Sequence, residues 1–179
     1  MGKMLLEKYN PEWVHQFNNI KEVLENKLQS INCTIEHVGS TAVPGLDAKP
    51  IIDIDIIFYN ENDFQLIKTR LEKAGYYHNG NQGIENRDVF KRDGAQIHDI
   101  LDSIPHHLYV CPTFSKALER HLLSRNYLRK HDWARIKYQQ MKYEIAERAG
   151  QDRKKYAALK EEVVNIFVDT MIQEEKKKQ

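Results

Sequence analysis

The sequence contains no long hydrophobic run and few cysteines. No segment approaches the ~20 apolar residues of a membrane-spanning helix, and the N-terminal MGKMLLE lacks the apolar core of a secretory signal. The two cysteines, Cys33 and Cys111, are far apart and have no CxxC spacing, so we interpret them as small buried side chains in a reducing compartment. We therefore expect a soluble, cytoplasmic protein that does not enter a membrane.

An excess of charge of one sign is also missing. The 27 Lys and Arg residues are balanced by 26 Asp and Glu, so no overall field attracts the chain to nucleic acid. The basic run at residues 176–178 is interpreted as a solvated tail. Any basic binding site must therefore be local. With 179 residues, 41% of them hydrophobic, the chain is long enough for one packed domain.

The first 112 residues carry the patterns of a mixed sheet flanked by helices. Asn10-Pro11 predicts a helix start, and Phe64, Ile67, Leu71 and Ala74 recur at helical spacing before Gly75. Strands are predicted at residues 33–38, 51–59 and 106–111. A hairpin of residues 87–92 and 95–101 is predicted around Asp93-Gly94, a favourable two-residue turn.

Residues 113–179 are predicted to be helical. The helices are expected at about 114–130, 133–149 and 153–173, with Thr113, Asp132 and Asp152 as their caps. The chain has no internal repeat and no linker rich in Pro or Ser. We therefore predict an α+β fold in which residues 1–112 form the core and residues 113–179 complete the same domain.

Two carboxylates on one predicted strand indicate a metal site. Alternation along residues 51–57 puts Asp53 and Asp55 on one face and the isoleucines at 52, 54 and 56 on the other. The two acids are then about 6.6 Å apart. Like charges that close repel each other in a half-buried strand, so one must take up a proton unless a cation compensates them. A divalent metal, Mg²⁺ or Mn²⁺, is the simplest compensation.

The turn before this strand and the basic residues after it indicate a phosphate ligand. Gly39 allows close backbone approach, and the amide groups around Ser40 and Thr41 are suited to phosphate oxygens. The C-terminal helices carry basic and phenolic residues in phase with their apolar stripes, as expected for side chains that face the sheet. The candidate phosphate ligands are Lys49, Arg125, Arg129, Tyr138, Lys142, Arg153, Tyr156 and Lys160. The alternative is that these long side chains pair with carboxylates across the helix packing.

The spacing of these elements resembles the nucleotidyltransferase superfamily signature. That signature has a hydrophobic residue, Gly and Ser, a gap, then two Asp residues that alternate with hydrophobic ones; here Val38-Gly39-Ser40 is followed by twelve residues and DIDI. The longer strings EHVGSTAVPGL and AKPIIDI are similar to the GrpB family. This second resemblance covers most of the chain, and it implies a nucleotidyltransferase-like fold for a family without a firmly established activity.

The sequence departs from the family pattern at several positions. Tyr109 replaces the second His of the family's His-Leu-His-Val strand, and Ser124 and Asn126 replace a Phe and an Asp on a later helix. Active nucleotidyltransferases usually carry a third carboxylate on a neighbouring strand, and residues 106–111 contain no acid. His107 is the candidate replacement, with Asp102 and Asp99 as alternatives. A hydrogen-bonded sheet histidine is the other interpretation of His107.

The resemblance leaves two functions open. The first is a metal-dependent nucleotidyltransferase in which Asp53 and Asp55 bind the metal and Gly39 and Ser40 bind phosphates. The second is a non-catalytic nucleotide- or phosphate-binding module that acts with a partner enzyme such as dephospho-coenzyme A kinase, to which GrpB-like domains are fused in some family members. Both functions require a phosphate-bearing ligand, and neither requires nucleic acid.

Overall fold

The computed structural model describes residues 5–177. The strands are β1 (Cys33–Val38), β2 (Ile52–Phe58), β3 (Tyr76–His78), β4 (Asp88–Arg92) and β5 (His106–Pro112). The helices are α1 (Glu12–Lys27), α2 (Asp63–Lys73), α3 (Asp99–Ser103), α4 (Lys116–Lys130), α5 (Asp132–Arg148) and α6 (Arg153–Lys176). A short 3₁₀ turn spans Ser40–Ala42.

The five strands form one mixed sheet in the order β1-β2-β5-β4-β3. β2 and β5 run parallel, and every other neighbouring pair is antiparallel. The register sets Asp53 beside His107 and Asp55 beside Tyr109. Since residues that pair across two strands share a face, these four side chains project from the same side of the sheet.

The opposite face of the sheet carries the main hydrophobic core. Ile52, Ile54 and Ile56 have no exposed surface and pack against α1, α2 and the region of α3. The apolar stripe of α1 is buried. Pro11, not Asn10, occupies the cap position, and Asn10 accepts the Glu12 amide at 3.0 Å just before the helix. The stripe predicted for the second helix is confirmed, with Ile67 and Leu71 fully buried in α2.

The three C-terminal helices lie on the side of the two aspartates and build a second core among themselves. Val43 and Leu46, from the loop between β1 and β2, are fully buried in this second core. β5 ends at Pro112, and the three C-terminal helices follow it in the chain. Among residues 5–177, no helix is both long and apolar enough to cross a membrane. The α+β fold class is confirmed.

The predicted hairpin at Asp93-Gly94 is wrong. β4 pairs with β3 and β5, and the segment after the turn forms the short helix α3 instead of a strand. Arg92 explains the difference, because its guanidinium binds the Gln96 carbonyl and the Asp102 carboxylate. These bonds fold the segment back onto the end of β4, and the pairing partner of β4 comes from elsewhere in the chain.

Two of the three predicted helix caps are displaced. Ser115, not Thr113, caps α4 by accepting the Leu118 amide at 3.2 Å, since the chain first turns at Pro112. Asp132 lies in the first turn of α5, and His131 occupies the cap position. Asp152 caps α6 as predicted, by accepting the Lys155 amide at 2.8 Å.

Candidate phosphate and metal site

Gly39 ends β1 and begins the turn that carries Ser40 and Thr41. Its backbone has φ +73° and ψ −170°, a region in which a residue with a side chain is strained. A Cβ atom added at this position would lie 2.3 Å from Oδ2 of Asp53. The glycine therefore allows the turn to lie directly against the Asp53 carboxylate, a close approach that the motif alone does not indicate.

Hydrogen-bond contacts of His37 and Thr41 hold this turn against the start of β2. Nε2 of His37 lies 3.0 Å from the Thr41 hydroxyl, and the hydroxyl donates to the Ile51 carbonyl at 3.4 Å. The imidazole stacks on Phe17 with ring centroids 4.6 Å apart. Burial lowers the pKa of His37 to about 4, so the ring is neutral at pH 7. Thr41 is buried in this arrangement, whereas Ser40 is half-buried.

Asp53 and Asp55 share a face, but they have different environments. Asp53 is half-buried at a pocket, and its Oδ1 lies 2.9 Å from Nδ1 of His107. Asp55 has no exposed surface, and its Oδ2 lies 2.8 Å from Nδ1 of His121 on α4. Oδ1 of Asp55 is buried without a hydrogen-bond partner in the described chain. Asp53 therefore lines the pocket, and Asp55 lies behind it with one unsatisfied acceptor.

These donors fit a magnesium-type ion better than a zinc-type ion. Within residues 5–177, no three His, Cys, Asp or Glu residues are grouped closely enough to hold a metal by themselves. Zn²⁺ sites are built from three or four protein ligands, whereas Mg²⁺ is usually bound by one or two carboxylates together with substrate phosphates and water. Asp53 at the pocket and the orphaned oxygen of Asp55 are such carboxylate donors.

Three lysines from different segments lie at the same pocket. Nζ of Lys49 lies 4.2 Å from the centroid of the Tyr156 ring. Lys142 is buried and donates to the Asp47 carbonyl at 2.6 Å, and Lys160 is half-buried on α6 near Tyr138. No ion pair connects any of these three ammonium groups to a carboxylate in residues 5–177. The pocket wall next to the Gly39 turn therefore carries lysines that form no direct ion pair in the described chain, and Asp53 is the carboxylate that acts on all three of them.

Burial and neighbouring charges shift the pKa values of the three lysines. Burial lowers the pKa of Lys49, and the charges of Lys160 and Arg153 lower it further. Burial and the charge of Lys160 hold the pKa of Lys142 well below its ordinary value. Tyr138 raises the pKa of Lys160 against the effect of desolvation. An anion placed among these groups would relieve the repulsion that lowers the first two values.

The pocket has a volume of about 830 Å³ and lies between the sheet and helices α4 and α6. The structure brings most of the predicted residues to it. Those that line it are Gly39, Ser40, Thr41, Lys49, Asp53, His107, Arg125, Tyr138, Lys142, Tyr156 and Lys160.

Arg129 and Arg153 lie outside this lining, and Arg125 has a second partner set. Arg129 donates through Nε and Nη2 to the Ala42 carbonyl, and Arg125 donates to Glu36 at 2.6 Å and to the His37 carbonyl at 2.8 Å. Arg153 is exposed at the start of α6. The two arginines of α4 therefore connect β1 and the turn to the helix. Arg125 pairs with a carboxylate, Glu36, whereas Arg129 binds a backbone carbonyl.

Asp102 also lies away from the pocket. It forms an ion pair with Arg92 at the end of β4 and accepts the His98 amide at 2.6 Å. Asp99 is exposed on the same short helix. Neither acid supplies the missing third carboxylate at Asp53, so of the residues proposed for that position only His107 is in contact with it.

His121 and Arg87 line the pocket but were not among the predicted site residues. His121 lies three residues after Leu118 on the buried stripe of α4, a phase that marks it as facing the sheet. Arg87 lies in a stretch with weak periodicity and has no such signal. Its guanidinium carbon lies 4.7 Å from the centroid of the Tyr109 ring, at the β4 side of the pocket.

Comparison with known proteins decides the family. The GrpB protein family model matches residues 3–170. The chain belongs to the GrpB family. It is 37% identical over 156 residues to a UPF0157 protein of Pseudomonas aeruginosa, and the match covers 87% of this chain and 62% of that protein. It is 29% identical to the glutamate-rich protein GrpB of Alkalihalophilus pseudofirmus, covering 95% of this chain and 97% of that one.

Solved structures place the GrpB chain in a wider fold group. The crystal structure of conserved protein GrpB from Enterococcus faecalis matches with a TM-score of 0.76 and 29% identity, covering 97% of this chain and 98% of that one. Cid1 in complex with the UTP analogue UMPNPP matches with a TM-score of 0.54 and 13% identity, covering 80% of this chain and 43% of Cid1. The Cid1 match establishes the fold alone. The predicted nucleotidyltransferase-like fold is confirmed.

Proposed function

We propose that the pocket binds a nucleoside triphosphate together with Mg²⁺ or Mn²⁺, and that the protein transfers a nucleotidyl group to an acceptor. The observation that carries this proposal is the set of three lysines, Lys49, Lys142 and Lys160, beside the Gly39-Ser40 turn. A lysine without an ion-pair partner is costly to charge in a partly buried pocket, and burial accordingly lowers the pKa of Lys49 and Lys142. A polyphosphate supplies several oxygens that accept charge-assisted hydrogen bonds from them.

The positions of the other residues support the same ligand. The turn at Ser40 presents backbone amides beside Asp53, and amides in such a turn are suited to phosphate oxygens. Cid1, which shares the fold, is described in complex with a UTP analogue. In the proposed site, the phosphates contact Ser40, Lys49 and Lys160, and their negative charge favours the protonated form of Lys142, which is buried behind them.

Asp53 is the residue that would hold the metal at the pocket, with Oδ1 of Asp55 as the second carboxylate donor. When bound, the ion supplies charge neutralisation between the phosphate oxygens during an in-line displacement. His107 orients the Asp53 carboxylate through its Nδ1 contact. His121 does the same for Asp55 from α4.

Isothermal titration tests the binding step. ATP, UTP, GTP and CTP are titrated with Mg²⁺ and then with Mn²⁺ into the wild-type protein and into Lys160→Ala. We expect Lys160→Ala to weaken binding by about tenfold or more, since a charged hydrogen-bond donor is removed. Lys154→Ala, an exposed position on the same helix, is the matched control and should leave the affinity unchanged. Absence of binding for every nucleotide with either metal would refute the proposal.

Binding without transfer is the second candidate function. Asp55 is fully buried and held by His121, and residues 106–112 present no acid to Asp53. This arrangement suits a module that presents or senses a nucleotide for a partner enzyme such as dephospho-coenzyme A kinase. Pyrophosphate release separates the two candidates. Release that depends on Asp53 supports transfer, and tight binding without release across a panel of hydroxyl, amine and phosphate acceptors supports the module.

A further inference from the structure

Arg87 is a cation at the pocket that the proposed nucleotide site does not use. It precedes β4, which is separated from β2 by β5, whereas the Gly39 turn and β1 lie on the other side of β2. Neighbouring strands are about 4.8 Å apart, so two strand spacings separate β4 from the strand of Asp53. The positive charge of Arg87 therefore lies across Asp53 from the turn that we assign to the triphosphate.

The guanidinium of Arg87 has no hydrogen-bond acceptor in residues 5–177. It lies over the Tyr109 ring with 4.7 Å between its carbon and the ring centroid, and its Nε–H is buried without a partner. A guanidinium has five N–H donors in a planar fork that matches a carboxylate or phosphate. Stacking on Tyr109 holds the plane in position and leaves that fork unused.

The charged side chains near Arg87 do not form ion pairs with it in the part of the chain that the structure describes. Arg120 binds Asp169 and Asn165, and Asp88 is occupied by His78 at 2.7 Å. Glu85 is exposed at the rim of the same pocket and makes no ion pair with Arg87. Arg87 is therefore an available cation on this side of the pocket.

Arg92, at the other end of β4, shows what a structural arginine looks like in the same strand. It also lies over a tyrosine, with its guanidinium carbon 5.1 Å from the centroid of the Tyr76 ring. Unlike Arg87, it binds the Asp102 carboxylate, and it donates to the Ala74 carbonyl at 2.8 Å. Both arginines therefore stack on a tyrosine, but only the guanidinium of Arg92 has hydrogen-bond acceptors, and that of Arg87 has none in residues 5–177.

We infer that Arg87 and Tyr109 form an anion subsite for the second substrate, a small acceptor that carries a phosphate or carboxylate group. This assignment rests on the proposed function, because it places the acceptor across Asp53 from the nucleotide. The acceptor anion receives a bidentate pair of hydrogen bonds from Arg87. The pocket volume of about 830 Å³ lies within the roughly 300–1,000 Å³ typical of small-molecule sites, which favours a small acceptor.

Side-chain NMR of the arginine Nε–H groups tests the subsite with simple probes. Inorganic phosphate and acetate are titrated separately into ¹⁵N-labelled protein, and Arg87→Gln identifies the Arg87 signal by its loss. If Arg87→Gln does not fold, Arg87→Lys serves for the assignment. We expect the Arg87 signal to shift to saturation with at least one anion, and the stronger of the two identifies the acceptor group. The Arg92 signal is the internal control and should not move.

A double variant, Lys49→Ala with Lys160→Ala, separates this subsite from the nucleotide site. The Arg87 shift should persist in the double variant while ATP binding is lost. ATP affinity in Arg87→Gln should stay within about twofold of the wild type, because no nucleotide contact is removed. An Arg87 signal that ignores both anions overturns the inference, as does a shift that requires the two lysines or a tenfold loss of ATP affinity in Arg87→Gln. If ATP fails to bind the wild type while Arg87 still responds, the proposed function fails and the anion subsite remains.

Discussion

The two faces of the five-stranded sheet contrast sharply although the same strands build both. On the face toward α1 and α2, Ile52, Ile54 and Ile56 have no exposed surface and belong to the main hydrophobic core. On the other face, Asp53 and Asp55 alternate with them and meet histidines and a basic pocket. Neighbouring residues of β2 thus alternate between isoleucines that pack in the core and aspartates on the side of the pocket.

The two faces also differ in how completely their polar groups are satisfied. The apolar face admits His37 only as a neutral ring stacked on Phe17. The pocket face leaves Oδ1 of Asp55 and Nε of Arg87 without partners in the described chain and three lysines without carboxylates. Because unsatisfied buried polar groups reduce stability, their concentration on one face marks the side where a ligand is expected.

Truncation of Ile54 should give the largest effect on stability. Ile54→Ala removes buried methyl groups from the fully packed face, and we expect a loss of about 2–5 kcal/mol in the free energy of unfolding. Urea denaturation measures it, and Ile97→Ala, at a side chain that is 87% exposed, is the control with an expected change of about 0.5 kcal/mol or less. A strong loss of ATP affinity in the folded Ile54→Ala protein would contradict the separation of the two faces.

Acid should destabilise the protein through His37. Its pKa is about 4 in the folded protein, against an ordinary histidine value of 6.5 in the unfolded chain. Between those values the unfolded state binds more protons, so stability falls as the pH falls. Between pH 6.5 and 4, the free energy of unfolding should fall by about 3 kcal/mol for a pKa shift of this size.

Denaturation at a series of pH values measures this fall. His37→Asn should reduce the dependence of the unfolding free energy on pH in the same window. Burial of His106, which also lowers its pKa, leaves part of the slope in place. An unchanged slope in His37→Asn would show that the ring is not the group responsible.

Gly39→Ala should damage the pocket face with a smaller effect on stability. The strained backbone region alone accounts for about 1–3 kcal/mol. The added Cβ would also displace Asp53, so ATP binding should be lost even where the protein remains folded. Gly80→Ala is the matched control, since Gly80 has φ +66° but no heavy atom within 4 Å of the added Cβ. Equal losses of ATP affinity in both variants would argue against a role for the Gly39–Asp53 contact.

Periodicity predicted the directions of side chains well. The two-residue period of β2 placed both aspartates on one face, and the helical stripe of α2 gave Ile67 and Leu71 as buried residues. Both results depend only on local geometry. Periodicity does not predict contacts between residues that are distant in the sequence, such as His121 with Asp55, 66 residues apart, or Arg129 with the Ala42 carbonyl, 87 residues apart. A stripe shows which way a side chain points, but the three-dimensional fold decides what it meets.

The same limit explains the wrong hairpin. Asp93-Gly94 is a favourable turn, and Gly94 does adopt a positive φ of 77°. The chain bends at Gly94, but Arg92 binds Asp102 and a short helix forms where a strand was predicted. The positive φ of Gly94 was therefore predicted correctly. The Arg92–Asp102 ion pair, between residues ten positions apart, accompanies a helix after the bend instead of a second strand.

The loop between β3 and β4 gives the pocket a wall that can change independently of the core. Residues 79–87 include none that is buried, yet Ile84, Glu85 and Arg87 line the pocket. A Cβ added at Gly80 or Gly83 would meet no heavy atom of the described chain within 4 Å, but both residues have a positive φ that favours glycine. If the proposed acceptor subsite is correct, substitutions at Ile84 or Glu85 should alter which acceptor binds and leave β2 and its isoleucines untouched. The wall of the pocket would then vary while the sheet that carries Asp53 stays the same.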